Sequence, residues 1–217
     1  MKNYSQNNEQ DIILNYLNNN NLKSGTFLDI GAFDGETYSN TRGIMLAFQE
    51  WKGIFIEPSS YSFYKLFQLY QNEPHRAALL NIAVVLETEL DNNLLEFYDS
   101  PTHSAASSKD IKNVNRFIAK LDDNGNCIDP RKIFIGKIGL KYVLQQFNNT
   151  NFQFINIDVE GGSAQLALQD WFNPLNNSCK LLCVEHDNMQ LELFNKFSKK
   201  LGYNLIAHNA ENLIFGK

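Results

Sequence analysis

Cysteine is scarce and odd in number: Cys127, Cys179 and Cys183 are the only three in 217 residues. That excludes a framework of paired disulfides, and Cys179 and Cys183 lack the second pair of thiols that a structural zinc site needs. A reduced, cytoplasmic chain is the expectation. Long apolar runs are missing as well. No stretch reaches the roughly 18 apolar residues that suggest a membrane span, and the opening MKNYSQNNEQD is polar, without the apolar core of a secretory leader. Positive charge is in deficit, with 19 Lys and Arg against 24 Asp and Glu. No basic stripe is available to neutralise phosphates, so nucleic acid is not an expected partner. No internal repeat and no second domain boundary is evident. The expectation is one domain over residues 1–217, a length that buries roughly 70–75% of its unfolded surface.

What is present begins with Thr26-Phe27-Leu28-Asp29-Ile30-Gly31-Ala32-Phe33-Asp34-Gly35. A short apolar run bounded by glycines reads as a buried strand. Asp29 stands near its end, and Gly31 and Gly35 bracket a tight turn. Glycine permits positive φ and close backbone approach. Strand, glycine turn and helix open a nucleotide-binding α/β sheet, with the ligand outside the strand's carboxyl end. The dinucleotide fingerprint GxGxxG is not met, because Phe33 occupies its middle position. The spacing suits a phosphate-free adenosyl ligand such as S-adenosylmethionine.

The rest of the chain follows an alternating pattern. Glu9–Asn20 reads as a helix with Ile12, Ile13, Tyr16 and Leu17 on one face, either a lid over the ligand (residues 1–24) or a packing helix. Glu36–Gln49 reads as a helix striped by Ile44, Ala47 and Phe48. Gly53–Glu57 reads as a second strand stopped by Pro58, with Glu57 placed to grip a ribose diol. Ser59 or Ser60 caps a helix whose face is Phe63, Leu66, Phe67 and Tyr70. Leu79–Val85 reads as a third strand, whose Asn81 meets either an adenine edge or backbone.

Residues 86–150 break the alternation and read as an insertion that shapes the acceptor pocket. It holds an extra strand at Leu94–Tyr98, a polar loop at Pro101–Ser108 and a helical stripe from Ile111 to Leu121. A turn-rich stretch at Asp122–Pro130, a strand at Lys132–Ile138 and a short helical face from Leu140 to Phe147 follow. Phe152–Val159 is the fourth strand, ending in Asp158, Glu160, Gly161 and Gly162, with Ser163 capping a helix through Trp171. Cys179–Val184 is the fifth, ending in Glu185-His186-Asp187-Asn188. A helix with Phe194, Phe197 and Leu201 inward and a hairpin of Tyr203–Ala207 with Asn212–Phe215 close the chain.

YSQNNEQDIIL, GTFLDIGAFDG followed by SNTR, WKGIFIEPS and FINIDVEGG together resemble the FkbM-type methyltransferases. The resemblance implies a Rossmann-like class I methyltransferase fold: a mostly parallel seven-stranded sheet, helices on both faces and an insertion before strand four. It implies S-adenosylmethionine as donor and O-methylation of a hydroxyl on a sugar or other small natural product. Donor contacts are expected at Asp29, Gly31, Ala32, Phe33, Gly35, Asn40, Glu57, Pro58, Asn81 and Ala83. Methylating a neutral alcohol calls for a base or a metal. Asp158 and His186 are the candidate catalytic residues, with base catalysis preferred. Asp158, Glu185 and Asp187 are the alternative ligands for Mg²⁺. An NAD-dependent oxidoreductase and a non-catalytic adenosyl-binding module are the competing readings.

Overall fold

The computed structural model describes residues 1–99, 109, 131–147, 151–168, 179–189 and 191–217, and among these all side chains but that of Phe197. The elements, in order, are α1 (Glu9–Asn19), β1 (Gly25–Ile30), α2 (Arg42–Ala47), β2 (Trp51–Ile56), α3 (Ser60–Tyr70), β3 (Ala77–Leu80), β4 (Ala83–Val85), β5 (Leu94–Asp99), β6 (Arg131–Gly139), α4 (Leu140–Gln146), β7 (Phe152–Ile157), α5 (Ser163–Ala167), β8 (Leu181–Glu185), α6 (Leu191–Lys200), β9 (Asn204–His208) and β10 (Asn212–Gly216). Seven strands form one sheet in the order β3-β2-β1-β7-β8-β10-β9. β3, β2, β1, β7 and β8 run parallel, and β10 lies antiparallel to both β8 and β9. The order reverses between β1 and β7, where a doubly wound sheet opens a crevice for ligand.

Each central strand is buried on both faces, so side chains alternate between two cores. Leu28, Ile30, Ile155, Ile157, Leu182 and Val184 face the core that holds Leu140 and Val143 of α4, Ala164 and Leu166 of α5 and Phe194 of α6. Phe27, Phe55, Phe154, Leu181 and Cys183 face the other, with Ile13 and Leu17 of α1, Ile44 and Met45 of α2 and Leu66 and Tyr70 of α3. On this second side Asp29 of β1 pairs in register with Asn156 of β7, which pairs with Cys183 of β8. A polar row therefore crosses three strands inside an otherwise apolar layer.

Five local expectations are corrected, and the choice between Ser59 and Ser60 is resolved. The helix after the glycine turn begins only at Arg42. Asp34 accepts from the N–H groups of Glu36 and Thr37, and Phe33 and Tyr38 hold positive φ, so the backbone turns rather than winds. Ala47 is exposed and Met45 takes its place in the core. The run Leu79–Val85 is two strands, because the chain leaves the main sheet after Leu80 and Ala83–Val85 joins a second sheet of order β4-β6-β5. Phe67 lies outward, while Ser59, not Ser60, caps α3 by accepting from Ser62 N–H. Gly162, not Ser163, precedes α5 at the cap position. The stretches at 101–108 and 111–130, Cys127, His103 and Trp171 lie outside the described residues. Among the described residues no helix is long and apolar enough to cross a membrane.

Candidate active site

The carboxyl ends of β1, β2, β7 and β8 open into one cavity of about 420 Å³, within the size range of small-molecule sites. Its floor is the polar row. Asp29 accepts from Thr41 Oγ1 at 2.6 Å and from Asn156 Nδ2 at 2.9 Å. Asn156 Oδ1 in turn accepts from Asn40 Nδ2 at 3.1 Å. These bonds offset a carboxylate's burial only in part: burial lifts the Asp29 carboxyl to about 6, and the Thr41 and Asn156 bonds pull against it.

The first wall is the glycine turn. Gly31 has φ +87, and a Cβ there would stand 1.7 Å from the Asp158 carbonyl oxygen. Its glycine is thus demanded by the protein's own β7 end, whatever the ligand. Gly31 and Ala32 N–H both donate to Ile56 O, which ties the turn to the end of β2. Glu57 follows directly. Its Oε2 accepts from Phe33 N–H at 2.8 Å and its Oε1 from Ser59 N–H at 2.7 Å, so the acid organises the turn itself. Each oxygen keeps a second lone pair for a ligand hydroxyl. Burial raises the Glu57 carboxyl to about 8 despite those two N–H bonds, with the charges of Asp99 and Asp29 adding to the rise.

The opposite wall is acidic. Asp158, Glu160, Glu185 and Glu211 line it. Burial, then mutual repulsion, lifts the Asp158 carboxyl to about 7, Glu160 to about 8 and Glu185 to about 9. Ser163 Oγ bridges Val159 N–H to Glu185 Oε2, and Asp187 accepts from Ala164 N–H, so α5 positions both acids. The apolar side comes from β4 and from the insertion: Val84 and Val85 of β4 and Leu95 and Phe97 of β5 close it. From the N-terminal segment only Gln6 reaches the cavity, donating to Glu211, while α1 packs on α2.

Asp29, Gly31, Ala32, Phe33, Asn40, Glu57, Pro58, Ala83, Asp158 and Glu185 all line this cavity. Four expected residues do not. Gly35, at φ +76, gives room to Leu66 and Tyr70 of α3. Asn81 donates to Glu57 O and Pro58 O, clamping the chain as it leaves the sheet rather than meeting an adenine. His186 accepts from Asn188 N–H on Nδ1, which leaves its proton on the buried, unpartnered Nε2. That tautomer has no free basic nitrogen. Asp187 is turned to α5, and among the described residues no three His, Cys, Asp or Glu side chains are grouped to hold a metal ion. Asn156 and Thr41 were missed by the sequence reading. Asn156 had a signal, a lone amide inside the apolar run FINI, since such a group is buried only with partners.

The architecture is that of the class I methyltransferases, a mostly parallel Rossmann-like sheet. A candidate RNA methyltransferase from Pyrococcus horikoshii superposes with a TM-score of 0.50 at 10% identity, over 96% of this chain and 81% of that one. An O-methyltransferase from Bacillus cereus, solved with S-adenosylhomocysteine, is similar at a TM-score of 0.48 and 12% identity, over 99% of this chain and 82% of the other. Residues 29–166 match the Methyltransferase FkbM domain, and the chain belongs to that family. No curated protein matches it in sequence.

Proposed function

We propose that the chain is an S-adenosylmethionine-dependent O-methyltransferase acting on a hydroxyl of a small acceptor, a sugar or related natural product. The observation that carries the reading is the meeting, in one cavity, of the glycine turn after β1, Glu57 at the tip of β2 and Asp158 after β7. The donor fits the residues present. The turn brings bare backbone to the cavity, Glu57 retains lone pairs for a ribose diol, and Ser62 Oγ lines the same wall buried and without a partner. When bound, S-adenosylmethionine supplies a methyl group on a sulfonium, which departs as a neutral thioether once an acceptor oxygen takes the methyl carbon.

The chain's own residues then have two tasks. The apolar wall from β4 and β5 excludes water, and an acceptor hydroxyl must be held and relieved of its proton. Asp158 takes that proton. Its carboxyl, raised to about 7, is partly ionised at neutral pH and basic enough to accept. The dinucleotide alternative is disfavoured by Phe33, whose side chain stands where a pyrophosphate would need glycine and whose N–H is already given to Glu57. Calorimetry with S-adenosylhomocysteine and with NADH tests the donor. Saturable uptake of the first alone supports the proposal; uptake of NADH alone overturns it. Asp158→Asn should then lower turnover by about 10²–10⁴-fold with donor affinity unchanged. Donor binding without methyl transfer to any hydroxyl acceptor would instead favour a non-catalytic module.

A further inference from the structure

Among the described residues, those other than glycine that hold a positive φ are Asn8, Asn21, Phe33, Tyr38, Asp187 and Asn188. Asn and Asp take that backbone at least cost, because their short polar side chains bond locally. The two bulky exceptions, Phe33 and Tyr38, both line the cavity. Phe33 is accounted for where it stands, since its N–H reaches Glu57 Oε2. Tyr38, at φ +55, is fixed from both sides. Asp34 accepts from Glu36 and Thr37 N–H and closes the turn before it. Ser39 Oγ accepts from Thr41 and Arg42 N–H and opens α2 after it. Tyr38 links the two and absorbs the change of direction, which glycine or asparagine would do at lower cost.

The Tyr38 ring adds no packing to the fold. It is 54% exposed and belongs to neither core. Among the described residues it meets no other ring, and its hydroxyl has no hydrogen-bond partner. Strain kept without a return in packing points to a ligand. Of the described residues that line the cavity, only Gln6, Thr37 and Tyr38 are exposed, so they mark its mouth. Gln6 donates to Glu211, on the wall that also carries Asp158. A molecule entering there passes Tyr38 before it reaches the proposed base.

Resting on the reading of the site as a methyltransferase of small hydroxyl acceptors, we infer that Tyr38 selects the acceptor: its ring is the platform on which a six-membered sugar ring lies by its C–H face. The axial hydrogens on one side of such a ring are slightly positive and meet the negative face of the phenol, and both surfaces leave water together. The fixed backbone limits the freedom lost when the sugar docks. The donor is not the occupant of this face. Glu57 and the Gly31–Phe33 turn, proposed to hold the adenosyl group, are buried or half-buried, whereas Tyr38 stands at the mouth.

The test uses the full chain saturated with S-adenosylhomocysteine, titrated with methyl β-D-glucopyranoside and with methyl β-D-allopyranoside, with binding read by NMR. The glucoside has one face of axial hydrogens only; an axial hydroxyl interrupts that face in the alloside. The glucoside should bind at least about fivefold tighter. Tyr38→Asn should remove that preference, leave S-adenosylhomocysteine affinity within about twofold and hold or raise the melting temperature, because asparagine takes the positive φ more readily. Tyr38→Phe should keep glucoside binding within about twofold, since the ring face is the contact. Equal binding of the two sugars, binding of neither, or a Tyr38→Asn variant that still prefers the glucoside overturns the inference and leaves the donor reading standing. A lower melting temperature of Tyr38→Asn would make the ring part of the fold, and a fall in its S-adenosylhomocysteine affinity beyond about tenfold would put the ring on the donor; either result also overturns it. A chain that takes up no S-adenosylhomocysteine removes both readings.

Discussion

Replacing Gly31 by alanine should damage the fold through two separable costs. The first is conformational: at φ +87 a side chain enters the left-handed region, worth about 1–2 kcal/mol. The second is steric. The new Cβ would stand 1.7 Å from the Asp158 carbonyl oxygen, an atom of backbone that no rotamer change can move. Relief requires the ends of β1 and β7 to part, which sacrifices the Asp158 N–H bond to Ile30 O at 2.8 Å and strains Gly31 N–H on Ile56 O at 2.9 Å. At about 1 kcal/mol for each bond, the sum is about 3–4 kcal/mol, a large part of a typical 5–15 kcal/mol stability. Gly202 supplies the control. Its φ is +75 and nothing lies within 4 Å of its added Cβ, so Gly202→Ala carries the conformational cost alone. Urea unfolding of the two variants should differ by about 2 kcal/mol at unchanged m-value. Equal midpoints would refute the reasoning, because they would mean that Gly31 is not pressed against the β7 end.

Arg76→Ala should destabilise by about 3–5 kcal/mol, since the guanidinium is buried on Met45 O, Phe48 O, Trp51 O and Glu73; thermal melts would show it, while donor affinity should hold because Arg76 lies just before the start of β3, outside the cavity lining. The ligand-free protein should lose stability as pH rises from about 5 to 9. Asp158, Glu160 and Glu185 carry raised carboxyls, so the folded state binds more protons than the unfolded one across that window. Urea midpoints measured at several pH values should fall, and Glu185→Gln should flatten the slope; a rising curve would contradict the burial of these acids. His186→Gln should keep turnover within about threefold, as the imidazole lies outside the cavity lining; a loss beyond a hundredfold would return it to the chemistry.

Much of this was legible in the residues because the central strands are buried on both sides. Continuous runs such as FLDI, IFIE and FINI can only be interior strands, and acids at their ends mark the ligand edge. What escaped depended on tertiary context. The run Leu79–Val85 has no breaker in it, and it splits only because Asn81 is clamped by Glu57 O and Pro58 O. The helix after Gly35 started late because Asp34 bound the next N–H groups, a side-chain effect that apolar periodicity does not register. Gly31 and Gly35 looked like one ligand loop, yet one answers to Asp158 and the other to Leu66. His186 is a residue type that often serves as a base, but its Nδ1 is taken by a backbone N–H two residues on.

The most direct measurement is a crystal structure of the chain soaked with S-adenosylhomocysteine. The account predicts the ribose hydroxyls on the Glu57 carboxylate, the adenosyl group against the Gly31–Phe33 backbone and the thioether facing Asp158. A ligand seated away from that turn, or a ribose that makes no contact with Glu57, would contradict it.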